Sequence, residues 1–517
     1  MKFTRTERYR SSAGGERPAH IAIIGSGSAA FACAIEATGR GSRVTMIERS
    51  PTVGGCCVNV GCIPSKRLIR AGQVAAVQRS HSIEGVGAGE PAIDAVLLTR
   101  RRRELVEELR DYKYENILRK TPNISLVRGE ARFVGRGVAD GSDDAERAGG
   151  RAIFGAADGG GDTAGADASA VPPLLEVIAD DGARRTISAD RILIATGSRP
   201  AIPPIDGIEQ VPYWTSTEAL FAEEVPGHLV VIGSSAVAVE IAQAWRRLGA
   251  SVTILARRTL LTREDERLGA ELTRTFEGEG IRVLTDTQAH SVTHDGSTFT
   301  LETNAGRISG DRLLVATGRR ANTEALNLDA VGVTADEHGA IEVDERMRTS
   351  AANIYAAGDC STMPRFVYVA AAAGRRAAAN MHGESRSLDL ATMPAVIFTD
   401  PQVATVGKTE TEAAVAGIEA ESRVLSLDQV PRALVNARTD GFVKLVAEKG
   451  TGRILGAQIF APEAGEMIQS VALAMRGNMT VDDLREGLFP YLTMSEAIKL
   501  AAQSFAADVR RLSCCAG

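Results

Sequence analysis

No stretch of the chain approaches the ~20 consecutive apolar residues that a membrane-spanning helix needs. The opening MKFTRTERYRSSAGGERPAH carries charge without an apolar centre, so it does not make a secretory signal and reads as a disordered leader over residues 1–19. Basic charge is also short. Against 65 Asp and Glu stand 59 Lys and Arg, a formal net charge of −6, which argues against the concentrated basic face of a nucleic-acid binder. The most basic run, RRRELVEELR from Arg101, interleaves Glu104, Glu107 and Glu108 and is expected to be a solvated helix face. Cysteine is scarce and odd in number: seven in all, clustered at 56–62 and 514–515, with Cys33 and Cys360 alone. That spacing is not a disulfide framework and points to cytosolic redox or metal chemistry. Histidine stops altogether at His382.

What is present divides 517 residues into about three domains on a ~150-residue prior, with an apolar fraction of 44% and a charged fraction of 24% that suit a globular protein. Two segments share one plan. HIAIIGSGSAAFACAIEATGRGSRVTMIER, from His20, reads as strand, Gly-rich turn, small-residue helix and second strand; HLVVIGSSAVAVEIAQAWRRLGASVTILARR, from His228, repeats it. Glu48 lies 23 positions beyond Gly25, and Ala256 lies 23 beyond Gly233, so the units align without a gap. Each is followed by a strand and a tight turn, RILIATGSRP around Gly197 and RLLVATGRRANT around Gly318. A lone fingerprint would be weak evidence; a matched pair is strong. Between them a Gly-, Ala- and Asp-rich stretch at about 135–173 has too few large apolar residues to offset its ordering entropy, and is expected to be a flexible insertion. From about Met393 come strand patterns such as GFVKLVAE and ILGAQIFA, then two helices and a short tail, RRLSCCAG.

The first unit is built for a dinucleotide. Gly25 permits the tight turn, Gly27 lets backbone approach a pyrophosphate, Ala30 allows close helix–strand packing, and Glu48 is placed to accept ribose hydroxyls. The second unit keeps small residues at Ser235 and Ala238, but its acid position holds Ala256, followed by Arg257 and Arg258. Arginines there pair with a 2′-phosphate that an acid would repel, so the expected nucleotide is NADPH.

GGCCVNVGCIPSK (54–66), the two ATG turns and AAGDC resemble the pyridine nucleotide-disulfide oxidoreductases, the group of dihydrolipoamide dehydrogenase, glutathione reductase and mercuric reductase. The likeness runs from about His20 to the C-terminus, the insertion excepted. It implies an α/β fold with two Rossmann-like nucleotide-binding domains, for FAD (20–214 and 345–390) and NADPH (215–344). An α+β dimerisation domain (391–510) and a mobile Cys-Cys tail (511–517) complete the expectation. The family's redox pair has four residues between its cysteines, which selects Cys57 and Cys62. The resemblance further implies Lys66 beside the flavin's reactive nitrogen, Glu240 pairing with Lys66, and Asp359 holding the ribityl chain. Gly197 and Gly318 are assigned to the two cofactor sites.

Disulfide-reducing members end in His-Pro-Thr-x-x-Glu, whose histidine shuttles the proton of thiol exchange. Here the stretch is YLTMSE: Tyr491 replaces the histidine and Leu492 the proline, while Thr493 and Glu496 remain. Without that base, lipoamide or glutathione is poorly served. Two thiols on a tail, Cys514 and Cys515, suit a soft ion instead. LSCCAG and YLTMSEAIKLAAQSF are similar to the mercuric-reductase branch of the family, in which Tyr491 and Tyr114 would lie near the metal path. The implied reaction is NADPH-dependent reduction of Hg(II) to Hg(0) in the cytoplasm by a homodimer. The tail thiols of one subunit would deliver the ion to Cys57 and Cys62 of the other. Two rival readings are a disulfide reductase, which Tyr491 opposes, and a mercury-binding flavoprotein without turnover, which two complete nucleotide sites oppose. No cysteine precedes Cys33, so cellular thiols or another carrier would bring the ion. Cys56 stands where the family has threonine and, if the loop is extended, packs away from Cys57. Cys33 and Cys360 are expected to be packing residues.

Overall fold

Strand His20–Ile24 sits at the centre of a parallel sheet because both its faces are apolar and buried, as a doubly covered strand requires. In a computed structural model, which describes residues 18–137 and 171–507, the chain divides into two compact units. The first comprises residues up to 57, 108–199 and 320–388. Its five-stranded sheet runs in the order Ile354–Ala356, Arg191–Ile194, His20–Ile24, Arg43–Glu48, Ile124–Arg128, all parallel. Helix Ser28–Gly39 packs tightly on helix Val367–Met381, because Gly374 has no side chain to strike the Ala29 carbonyl.

The expected insertion begins and ends in regular structure. Strands Glu130–Arg136 and Pro173–Ile178 pair antiparallel, with Arg136 opposite Pro173, so both flanks belong to a sheet. The flexible reading of the insertion itself falls on 138–170, which lies outside the described residues, as do residues 1–17 of the leader.

The second unit holds residues 58–107, 200–319 and 389 onward. Its parallel sheet, ordered Ile281–Leu284, Ser251–Leu255, His228–Ile232, Arg312–Val315, repeats the first around the second fingerprint. An antiparallel five-stranded sheet follows, with the expected strands Phe442–Glu448 and Ile454–Ala461 side by side at its centre. Among the described residues three helices follow rather than two: Ala464–Arg476, Val481–Glu486 and Glu496–Gln503. The extra one is a six-residue turn held by a capping box, Thr480 with Asp483, too short to show a helical period in sequence.

The solvated reading of RRRELVEELR is corrected at one residue. Helix Ala95–Arg110 exposes Arg101, Arg103 and Glu104, but Arg102 is only 1% exposed. It shares a small enclosed space with Leu68, Leu98, Trp245 and Leu248. Among the described residues no carboxylate pairs with it, and its Nη2 donates to the Thr99 hydroxyl at 2.7 Å. No helix among the described residues is long and apolar enough to cross a membrane.

Candidate functional site

The two fingerprints are the same object built twice. Gly25 (φ +108°) and Gly233 (φ +133°) take backbone shapes that side chains resist, and a Cβ on either would collide with the carbonyl of Ala195 or Ala316. Those alanines open the two Ala-Thr-Gly turns, in which Gly197 and Gly318 also have positive φ. The repeat reaches side chains that the sequence reading passed over. His20 Nε2 meets the Thr45 hydroxyl at 2.8 Å, and His228 Nε2 meets that of Thr253 at 2.9 Å. The backbone N–H of each histidine donates to an aspartate, Asp190 or Asp311. The signal was available, since both segments begin with histidine.

Gly27 shows what the first unit is shaped to hold. A Cβ there would touch only the Cα of Gly55 at 3.9 Å, an ordinary contact. Among the described residues nothing demands glycine at that position, so the space before the helix is left for a group that needs close backbone approach. Helix Ser28–Gly39 begins there with no side-chain cap, leaving its first N–H groups turned toward that space. Ala30 is fully buried. The Glu48 carboxylate accepts from Ser26 Oγ at 2.6 Å and from the Ser50 N–H at 2.7 Å. Its remaining lone pairs can take two ribose hydroxyls. Asp359, half-buried, accepts from Ser198 Oγ at 2.7 Å. These residues fit a bound dinucleotide.

In the second unit Ser235 is exposed and does not cap helix Ala236–Arg247, although serine readily would. The first-turn N–H groups are thus open to a phosphate. Ala256 is fully buried, whereas Arg257 and Arg258 are exposed. Neither guanidinium is hydrogen-bonded or ion-paired among the described residues.

The cysteine stretch is helical, not extended. Cys56 and Cys57 lie on helix Gly55–Val60, and after Gly61 the helix Cys62–Arg79 begins with Cys62. Cys57 and Cys62 are half-buried while Cys56 is exposed, which overturns the packing reading of Cys56. On a helix, neighbours point about 100° apart, so Cys56 turns outward where Cys57 turns in. Cys33 and Cys360 are fully buried, and burial pushes both thiols up from their ordinary range, as inert packing residues require.

One turn after Cys62 comes Lys66. Helix Cys62–Arg79 lies close on helix Ala236–Arg247 because Gly72 faces Ala244, where a Cβ would stand 3.1 Å from the carbonyl. That approach brings Lys66 Nζ to 2.8 Å from Glu240 Oε2, in an ion pair whose carboxylate is nearly buried. Glu240 Oε1 accepts from the Phe398 N–H at 2.8 Å, and the Phe398 ring lies 4.4 Å from the Lys66 ammonium. Phe398 was missed, because nothing local in FTDP marks a residue whose partners are distant in the chain.

Tyr114 sits in a π-helical turn, Asp111–Glu115, with its ring edge-on to Phe31 at 5.0 Å. Tyr491 is 54% exposed, and Leu492 after it has φ +57°, a conformation closed to the proline of the disulfide-reducing motif. Thr493 donates to the Pro490 carbonyl at 3.0 Å, and Glu496 opens the final helix. Burial raises the Glu496 carboxyl above its ordinary value, with Lys499 opposing. Cys514 and Cys515 lie outside the described residues. Among the described residues no group of three or more metal-ligating side chains is gathered.

Residues 19–374 match the family sequence profile described as pyridine nucleotide-disulphide oxidoreductase, and residues 393–502 match that family's dimerisation domain. A mercuric reductase of Shewanella putrefaciens is 58% identical over 498 residues, covering 96% of this chain and 83% of that one. One from Streptomyces lividans is 43% identical over 503 residues, covering 96% and 98%. Among solved structures, LpdA of Mycobacterium tuberculosis superposes with a TM-score of 0.79 at 27% identity, over 95% of this chain and all of that one. The HOCl-induced flavoprotein disulfide reductase RclA of Escherichia coli superposes at 0.78 with 28% identity, over 94% and 99%. The chain belongs to the pyridine nucleotide-disulphide oxidoreductase family and, within it, to the mercuric reductases.

Proposed function

We propose that the chain uses NADPH, FAD and the Cys57/Cys62 pair to reduce Hg(II) to Hg(0), in the balance Hg(II) + NADPH → Hg(0) + NADP⁺ + H⁺. The observation that carries this reading is the helix Cys62–Arg79. It begins with a thiol and, one turn later, presents Lys66 to Glu240 on the fingerprint helix of the second nucleotide unit. FAD, when bound, carries the two electrons from nicotinamide to the sulfur end of the site. Gly25, Gly27, Ala30, Glu48, Gly197 and Asp359 are assigned to holding it, with Lys66 at its reactive edge. Gly233, Ser235, Gly318, Arg257 and Arg258 are assigned to NADPH. The exposed guanidiniums of Arg257 and Arg258, unpaired among the described residues, are what favour a 2′-phosphate there.

Hg(II) travels as a two-coordinate thiolate complex. Cys514 and Cys515 of one subunit of a homodimer take it from cellular thiols, each incoming thiolate displacing an outgoing one. Cys57 and Cys62 of the other subunit then exchange onto it in the same way, so the ion is never released. No histidine is needed, because the exchanging groups are thiolates and the proton of the reaction goes to solvent. Tyr491, which is exposed, and Tyr114, which is half-buried, are assigned to this path. A cytoplasmic location supplies both NADPH and the carrier thiols.

The test compares substrates under anaerobic conditions. Rapid NADPH oxidation with Hg(II) bound to cysteine or glutathione, and negligible turnover with lipoamide or glutathione disulfide, is the expected result. The opposite pattern would replace this reading with disulfide reduction. Replacing Cys514 and Cys515 together by alanine should slow turnover of thiol-bound mercury while leaving flavin reduction by NADPH intact; equal turnover would remove the delivery step.

A further inference from the structure

Helix Ala236–Arg247 sends three polar side chains from one face, Glu240, Gln243 and Arg247, and all three end on one short segment, Phe398 to Asp400. Gln243 holds the peptide units of Asp400 at both ends. Its Oε1 accepts from the Asp400 N–H at 2.8 Å, and its Nε2 donates to the Asp400 carbonyl at 2.8 Å. Arg247 Nη1 donates to the Asp400 carboxylate at 2.7 Å, and Nη2 to the Asp400 carbonyl at 3.1 Å. Glu279 closes the far side, accepting from Gln243 Nε2 and Arg247 Nε, each at 2.9 Å. Arg438 adds a second cation on Asp400. Burial alone would raise the Asp400 carboxyl, but Arg247 and Arg438 outweigh it and hold the group below its usual range. Asp400 therefore stays a carboxylate at neutral pH.

Such an anchored segment is more than the end of a strand needs. Phe398 gives its N–H to one oxygen of Glu240, while the other oxygen takes the Lys66 ammonium, and the Phe398 ring supports the same ammonium. Lysine has a flexible four-carbon stem that costs rotamer entropy to restrain. Here it is restrained twice, by a carboxylate that is itself fixed and by an aromatic face.

We propose that Phe398 and Gln243 are positioning residues for Lys66. Gln243 fixes the segment, the segment fixes the Glu240 carboxylate and the Phe398 ring, and these two fix the ammonium. The proposal rests on the assignment of Lys66 to the flavin's reactive edge. It deepens that assignment by naming what holds the charge in place.

The experiment is a double-mutant cycle on the FAD-loaded protein, read as the single-turnover rate at which NADPH bleaches the oxidised flavin absorbance. FAD content and melting temperature are followed alongside. Phe398→Leu removes the ring and keeps the N–H, and should slow flavin reduction about threefold at unchanged FAD content, the size of one cation–π contact. Phe398→Tyr keeps the ring and should restore the rate. Phe398→Met, which fills the volume with no π-face, should behave as the leucine variant does and stands in for it if that variant fails to load FAD. Lys66→Met should be slower than wild type, and adding Phe398→Leu to it should slow it no further. Equal slowing by Phe398→Leu with or without Lys66 would overturn the proposal, since the ring would then act on packing alone. So would a wild-type rate in both Phe398→Leu and Phe398→Met. If Lys66→Met itself leaves the rate unchanged, the assignment of Lys66 to the flavin falls, and this inference with it.

Discussion

Lys66 Nζ lies 2.8 Å from Glu240 Oε2, and the two ends of the pair differ in their access to water: the lysine is 36% exposed and the glutamate 7%. The pair is therefore lopsided in its energetics. If the carboxylate is lost, the ammonium can rehydrate, whereas the Phe398 N–H that Glu240 also accepts loses its partner on a half-buried segment. Glu240→Leu should lower stability by about 1–3 kcal/mol, the cost of one buried unmet donor. Glu240→Gln, which keeps an acceptor and loses the charge, should cost under about 1 kcal/mol. Urea midpoints of the FAD-loaded variants measure the difference, and equal losses would show that charge, not the hydrogen bond, dominates.

Arg102 offers the reverse case, a buried cation with no carboxylate partner among the described residues. Burial first, and then the like charges of Arg103 and Arg67, push its guanidinium down to about 10, and its Nε has no hydrogen-bond partner among the described residues. Arg102→Met, which fills similar volume without charge, should raise stability by about 1–2 kcal/mol. Arg102→Ala should lower it by opening a cavity against Trp245 and Leu248. A loss with methionine equal to that with alanine would mean the charge has a partner in the folded protein.

Replacing Arg257 and Arg258 together by alanine should raise the KM for NADPH about 10- to 100-fold, the worth of one or two charge-assisted hydrogen bonds. The KM for NADH should stay within about twofold. Both arginines are exposed and outside any ion pair among the described residues, so the fold should not register the change. Steady-state kinetics with the two nucleotides separates a 2′-phosphate contact from a general loss of binding.

Burial raises the Glu264 carboxyl above its ordinary value; the Thr405 hydroxyl opposes this and Glu412 adds to it. An acid raised in the folded state costs stability once it ionises, and costs nothing where both folded and unfolded forms are protonated, below about 4.3. Glu264→Gln keeps the acceptor for Thr405 and should melt higher than wild type at pH 7. Its advantage should shrink as the pH falls toward 4. A difference that does not vary with pH would show that the carboxylate carries no penalty.

The duplicated core was legible because its determinants are backbone requirements. Gly25 and Gly233 are forced by turns passing under Ala195 and Ala316, and such needs leave glycine in the sequence wherever they occur. The strand Phe442–Glu448 was readable from an alternating pattern, although the structure buries it nearly throughout, Lys444 included. Single burials were not. Charge counting over RRRELVEELR describes a face and cannot single out the one arginine that faces inward, and Cys56 depended on whether its loop was helical or extended. The clamp of Gln243, Arg247 and Asp400 joins segments more than 150 positions apart, a relation that no local pattern carries.

The most direct test of the central claim is the yield of mercury vapour per NADPH oxidised, measured anaerobically with Hg(II) presented as its bis-cysteine complex. Two-electron reduction at the Cys57/Cys62 site predicts one Hg(0) for each NADPH, with the yield abolished when either cysteine is replaced by alanine. NADPH oxidation without vapour, or vapour at the wild-type yield from the Cys57→Ala and Cys62→Ala variants, would contradict it.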